Sequence, residues 1–223
     1  MRDMCLNHQF TMAIAEYDKK LKNGNSYKMV IIINGKGSCG KDTLIEELMK
    51  MNLYTIRNVS SIDPVKEAFM KTGLWDGEKT PEARKCLSDL KKTFGEYCSL
   101  SHKYLIDELT SFMKSDDDIM FVHIREEEEI VKFIGVIKYI NYGLQDVLDR
   151  SSSIIGFRCK SLLVKSSRTE DVCYENESDD NVNDYDYDFV FENVDGIEES
   201  VNKFSELIQA IHRIPFNADL LNK

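Results

Sequence analysis

The chain has 223 residues, of which 42% are hydrophobic, with only 3 Pro and 11 Gly, enough apolar material for one domain with a real core. A net charge of -10 with no block of Lys or Arg argues against duplex nucleic acid as a partner, because such binding depends on neutralising phosphates. The 6 Cys show no C-x-x-C spacing and no zinc-type Cys/His cluster, and no apolar run approaches about 18 residues, so free thiols, a cytoplasmic location and no membrane span are expected.

Residues 1–28 precede the first strand signal. Leu6, Phe10, Ile14, Tyr17 and Leu21 step by four, four, three and four, drawing one apolar stripe on a helix that ends near Asn23-Gly24-Asn25. Such a stripe either packs on the domain or forms a homodimer contact. Met29 to Ile33 is a continuous, β-branched apolar run, as expected of a parallel strand buried on both faces. Gly35 and Gly40 then fill the glycine positions of G-x-x-x-x-G-K, Lys41 completes it, and Leu44, Ile45, Leu48 and Met49 recur at helical spacing. Strand, glycine-rich loop and helix in this order make a phosphate-binding loop. Its candidate binders are Gly35, Lys36, Gly37, Ser38, Cys39, Gly40, Lys41, Asp42 and Thr43, with backbone amides wrapping a phosphate chain and the Lys41 ammonium reaching the outer phosphates. Alkylation of Cys39, inside the loop, is expected to block ATP binding by steric intrusion. Asp42 stands where many phosphate loops carry the Ser or Thr hydroxyl that holds magnesium, and a hydroxyl follows only at Thr43. That offset speaks against a GTPase or a motor ATPase.

The run Ser38-Cys39-Gly40-Lys41-Asp42-Thr43 resembles the S-x-G-K-D-T loop of phage-type deoxynucleoside monophosphate kinases. The resemblance is specific from Met29 to about Lys66 and fainter through Arg125. It implies ATP as the bound nucleotide, with Mg2+ held mainly by phosphate oxygens and water. Leu53 to Val59 reads as a second strand that delivers Ser60 to Lys66 at its carboxyl end, where ligands gather in open α/β sheets. Asp63 and Lys66 are therefore substrate-side candidates, while Asp63-Pro64 also reads as an N-cap followed by proline at the first helical position. The stretch resembles the A-D-P-hydrophobic-K segment of the same kinases, with Ile62 in place of the alanine.

A polar link over residues 72–80 contains Trp75, which either stacks on a base or fills the core. Thr80-Pro81-Glu82-Ala83 then signals a helix running to about Tyr97. Arg84 lies in its first turn, either as a forked clamp for an acceptor phosphate, in the section where the resemblance puts the acceptor, or as a solvated flank residue. A helix finishing over Leu105 to Met113 and an acidic turn over Ser115 to Asp118 lead into the apolar strand Ile119 to Ile124. Arg125 follows at its carboxyl end, as an arginine does in the related kinases, and is the candidate stabiliser of the transferring phosphoryl group. His123 reads as structural. Ile130, Phe133, Ile134, Ile137 and Ile140 continue as a helix, and residues 141–160 look like an insertion before a fourth strand, Ser161 to Lys165. The polar stretch from Ser166 to Asn183 holds one arginine, Arg168, which is a catalytic lid residue in the kinase reading or part of a loop without a role.

Asp184 to Asp188 alternates acids and aromatics, but Phe189 instead of glycine at the sixth position and no glutamate at the twelfth rule out a calcium loop. The alternation reads instead as a strand running into Phe189 to Phe191, followed by a turn at Asn193 to Gly196 and a closing helix over Ile197 to Ile211. Together these elements predict an N-terminal extension (1–28), a three-layer phosphate-loop domain with a five-stranded, mainly parallel sheet (29–212) and a tail (213–223). The expected activity is ATP-dependent phosphoryl transfer to a small phosphorylated acceptor, a (deoxy)nucleoside monophosphate for choice. The alternatives are a kinase for another metabolite, with Asp63 as base, and a nucleotide-binding regulator without turnover.

Overall fold

Five strands form in the computed structural model, which describes residues 28–78, 80–147, 157–169, 182–194 and 196–213: β1 (Met29–Asn34), β2 (Ile56–Ser60), β3 (Ile119–His123), β4 (Arg158–Lys165) and β5 (Phe189–Glu192). Every neighbouring pair is parallel, in the order β2-β3-β1-β4-β5. Parallel neighbours need crossovers, and the segments of helical periodicity supply them. These helices are α1 (Lys41–Lys50), α2 (Asp63–Lys71), α3 (Pro81–Cys98), α4 (Leu100–Lys114), α5 (Glu127–Val147) and α6 (Ile197–Arg213). The result is an α/β domain with helices on both faces of the sheet, consistent with the phosphate-loop type. Among the described residues no helix is long and apolar enough to cross a membrane.

β1 is buried along its whole length because both of its faces are covered. Val30 and Ile32 pack with Leu105, Leu109 and Phe112 of α4 and with Ile130 and Phe133 of α5. Met29, Ile31 and Ile33 point the other way, to Leu44, Ile45 and Leu48 of α1 and to Phe204 and Ile208 of α6. The ring of Phe204 lies 6.3 Å from that of Phe121 and 5.2 Å from that of Phe191, so one α6 side chain ties β3 to β5. The parallel arrangement brings the carboxyl ends of β1, β2, β3 and β4 to one edge. The chain leaves β1 toward β2 and leaves β3 toward β4, on opposite sides of β1, which is the arrangement that opens a crevice at that edge.

Several boundaries differ from those expected. β2 starts at Ile56 and not Leu53, because the chain first turns through Asn52 at φ 53 and is then pinned where the Asp118 carboxylate accepts from Thr55 N–H at 2.9 Å and Oγ1 at 2.7 Å. β4 starts at Arg158, opposite Met29, and α5 runs to Val147, so both ends of the presumed 141–160 insertion are regular structure. Asn141 joins them, accepting from Phe157 N–H at 2.9 Å and donating to its carbonyl at 3.0 Å. Asp184 to Asp188 is not strand: the Asp188 carboxylate accepts from Ser161 N–H and Oγ, and Tyr185 and Tyr187 pack edge to face at 4.9 Å, which bends the segment before β5. The expected helix of residues 1–28 with its dimer contact lies outside the described residues except for Lys28, and the expected tail does so except for Arg213.

Phe204→Ala is expected to cost about 3–5 kcal/mol, the range for truncating a fully buried aromatic. Urea denaturation measures it, and a loss below about 1 kcal/mol would contradict the bridging role assigned to this ring.

Candidate functional site

β1 ends at Asn34, a fully buried polar residue. Its Oδ1 accepts from Gly35 N–H at 2.8 Å, and its Nδ2 donates to the Arg125 carbonyl at 3.1 Å and to the Tyr187 hydroxyl at 2.6 Å. The start of the loop is thereby tied to the segment after β3. At Gly35 a Cβ would lie 2.4 Å from the Val164 carbonyl oxygen and 2.7 Å from Cys39 Sγ, so only glycine lets the chain leave the sheet so close to β4. Gly40 has φ 89, and a Cβ there would lie 2.4 Å from Asn193 Nδ2. That amide donates to the Cys39 carbonyl at 2.8 Å, while Asn193 N–H donates to the Lys165 carbonyl at 2.7 Å, so the end of β5 clamps the far side of the loop. Cys39 turns its thiol into the core beside Ile45 and is fully buried. The expected block by alkylation therefore does not follow, since no reagent reaches Sγ unless the loop opens.

The first intrahelical bond of α1 is Leu44 N–H to the Gly40 carbonyl, at 3.0 Å, and no side chain caps the helix start. The amides of Asp42 and Thr43 precede that bond and point out of the helix, with the positive end of its dipole. Lys41 is only 8% exposed and folds back to donate from Nζ to the Gly35 carbonyl at 3.3 Å, so its ammonium lies across the mouth of the loop. Ser38, Asp42 and Thr43 are exposed and Lys36 is half-buried.

His123, the last residue of β3, has Nε2 2.8 Å from Asn58 Oδ1 and Nδ1 3.7 Å from Asp42 Oδ1. Burial pushes its pKa down to about 4; Asp42 opposes the shift, and the positive charges of Lys41, Lys66 and Arg125 add to it. Thus Lys41, Asp42, Lys66 and Arg125 act together on one imidazole, and four of the expected site residues converge with a histidine that the sequence marks only as structural.

The other candidates are placed as follows. Asp63 does not cap α2: it is the first residue of the helix, after Ile62, and its carboxylate turns back to accept from Ser60 N–H at 2.7 Å, with Lys66 Nζ 3.4 Å away. The Thr80 side chain caps α3, accepting from Ala83 N–H at 3.2 Å. Arg84 lies on the same face of α3 as Lys91, seven residues or about 10.5 Å earlier along the axis. Lys91 is bonded to Glu126 and, at 2.8 Å, to Glu129, which docks that face of α3 beside Arg125. Arg168 is exposed in the single helical turn Ser167–Thr169 that follows β4 at the same edge of the sheet. The Trp75 ring stacks on Phe69 at 5.5 Å and its Nε1 donates to the Glu78 carbonyl, so it belongs to the link and not to the core.

Burial works against ionisation of Glu126, but the Lys91 ammonium outweighs it and holds the carboxyl down at about 2. Burial raises Glu129, with Glu126 adding to the rise and Lys91 opposing it. Among the described residues no group of three or more His, Cys, Asp and Glu side chains converges as a metal cage.

No family model matches the sequence, and no curated protein matches it. Six chains of solved structures do match it. One of them, the crystal structure of TT1252 from Thermus thermophilus, is 16% identical, with 83% of this chain and 98% of that chain covered and a TM-score of 0.38.

Lys91→Met leaves two half-buried carboxyl groups facing each other without their cation. In the wild type the lowered Glu126 stabilises the fold above the ordinary carboxyl range, and that stability is lost as pH falls toward 2; the raised Glu129 has the opposite sign. In the variant both carboxyls favour protonation, so its deficit against wild type is expected to be largest at pH 7 and to shrink toward pH 4. Urea midpoints at the two pH values measure this, and a deficit independent of pH would contradict it.

Proposed function

We propose that the protein transfers the γ-phosphoryl group of ATP to a small phosphorylated acceptor of the (deoxy)nucleoside monophosphate class. The observation that carries this reading is the Lys41 ammonium laid across Gly35 at the mouth of an uncapped helix start, with the charges of Lys66 and Arg125 acting on the same spot. A triphosphate chain wrapped by residues 35–43 would bring its γ-phosphate to this cluster of cations.

An oxygen of the acceptor phosphate attacks the γ-phosphorus in line, the bond to the β-bridging oxygen breaks, and ADP leaves with that electron pair. Lys41 and Arg125 neutralise charge on the transferring group, and Arg168, on the turn after β4, closes over the phosphates. Lys66 and Arg84 hold the acceptor, with Asp63 fixing the turn that carries Lys66. Magnesium would arrive with the nucleotide, held mainly by its phosphates and by water, next to the exposed Asp42 and Thr43. A phosphate oxygen has no proton to give up, so this chemistry asks for no general base. That agrees with Asp63 being engaged by Ser60 N–H and Lys66, a poor arrangement for a base acting on a metabolite hydroxyl.

A coupled assay of ADP release from ATP across a panel of nucleoside monophosphates tests the reading. At least one monophosphate is expected to stimulate release; ATP binding without stimulation by any of them would leave a regulator instead. Lys41→Ala is expected to lower turnover by at least about 10²–10³-fold, the cost of removing one charge-stabilising group, while the fold persists by circular dichroism. Unchanged turnover would remove the loop from the mechanism.

A further inference from the structure

A helix that closes one layer of an α/β sheet turns its apolar side inward and a polar side to water. α6 keeps to this, with Glu199, Asn202, Lys203 and Glu206 on its exposed face. α5 does not. Ile130, Phe133, Ile137 and Ile140 point to the core, and roughly half a turn away, at 3.6 residues per turn, Val131, Gly135, Tyr139 and Tyr142 line up on the opposite face. Val131 is 55%, Tyr139 70% and Tyr142 67% exposed. Gly135 leaves a gap in the row, since a Cβ there would meet nothing within 4 Å. Large apolar residues scattered singly over a surface mean little, but a row of them along one helix marks a docking face.

Residues 1–27, outside the described residues, carry a sequence stripe of the same kind in Leu6, Phe10, Ile14, Tyr17 and Leu21. The point where they join the domain is fixed. The Lys28 carbonyl accepts from Arg158 N–H at 3.3 Å, and Phe157, next to Arg158, is bonded twice to Asn141, next to Tyr142. The Lys28 ammonium lies over the Phe112 ring, on the side of the sheet that α4 and α5 cover. The chain thus enters the domain beside the far end of the α5 row. From Leu21 to Lys28 the backbone reaches at most about 23–25 Å, while a helix laid on α5 would stand about 20 Å from the sheet, two layers of about 10 Å each. The tether is long enough for this face and too short for the helices across the sheet.

We propose that the outer face of α5 is the docking site of residues 6–21 of the same chain, held there as an amphipathic helix. α5 crosses from the end of β3 to the start of β4, so a segment that lies along it and ends at Lys28 runs in the same direction. Phe10 then meets Val131, Ile14 fills the gap at Gly135, Tyr17 meets Tyr139 and Leu21 meets Tyr142, both rows spanning the same number of residues. Glu16 and Asp18, on either side of Tyr17, come to Lys138 beside Tyr139. A short tether holds the segment at an effective concentration of about millimolar, an advantage that a second copy of the chain lacks. The contact is independent of what the phosphate loop binds.

Hydrogen exchange read by mass spectrometry on the full chain tests this, with the mass in solution measured by light scattering alongside. An isolated helix of about 16 residues is marginal in water, so protection of the segment requires a partner. In a monomeric protein the amides of residues 6–21 are expected to exchange at least about tenfold more slowly than in a free peptide of that sequence. Tyr139→Glu, at an exposed position, and Ile14→Glu, in the segment itself, should each abolish that protection while β1 and β3 stay as protected as in the wild type. Absence of protection in the wild type, or its survival in either variant, overturns the proposal. A dimer that Tyr139→Glu splits, with exchange at residues 6–21 unchanged or slowed only in the dimer, would give the face to a second copy and overturn it as well.

Discussion

The loop proposed to offer backbone amides to an anion depends on other groups to hold its shape. Here two buried asparagines do so. Asn34 fixes Gly35 N–H at the end of β1, and Asn193 grips the Cys39 carbonyl from the end of β5. Both are charge-neutral and buried with their hydrogen bonds made, so they shape the loop without adding charge to its mouth. The same two residues reach across the sheet: Asn34 to the Arg125 carbonyl and the Tyr187 hydroxyl, and the Asn193 backbone to Lys165. The loop, the cation after β3 and the segment before β5 are therefore one mechanical unit. Its stiffness derives from β1, buried on both faces between two helical layers.

Within that frame the electrostatics are local. The chain carries -10 overall, yet at the carboxyl edge Lys41, Lys66 and Arg125 surround His123 closely enough to help keep it neutral. Such a cluster would suit the proposed polyphosphate even in an acidic protein, because a few charges in a partly buried crevice act at lower effective dielectric than the exposed carboxylates elsewhere. The acidic residues at the edge are separately occupied. Glu126 is paired with Lys91, and Asp63 is turned back on Ser60, so neither carboxylate faces the edge unpartnered.

The parts of this arrangement that were legible in the sequence are the contiguous ones. Strand, loop and helix from Met29 to Lys50 lie within about twenty residues, and their order is itself the signal. The same is true of the parallel sheet, announced by apolar runs at Met29 and Ile119, and of the α3 start at Thr80-Pro81. What could not be read depends on residues far apart in the chain. Asn193 is 154 positions from Cys39, Tyr187 is 153 from Asn34, and the facing of Asp42 and His123 exists only because β3 lies next to β1. One misread segment has the same origin: Asp184 to Asp188 has the alternation of a strand, but Asp188 is taken by Ser161 of β4. The other is local, since Asp63 has the sequence of an N-cap but its carboxylate accepts from Ser60 N–H, three residues earlier. A local pattern was overridden each time by a partner that the pattern does not contain.

The central claim is that residues 35–43 receive the phosphates of ATP through their backbone amides. Titrating ATP into ¹⁵N-labelled protein and following the amide resonances tests it most directly. The account predicts saturable shifts that are largest at Gly35 to Thr43, with smaller ones at Arg125 and none on the outer face of α6. Saturable binding whose largest shifts fall outside the loop, or no shifts at millimolar ATP, would contradict it.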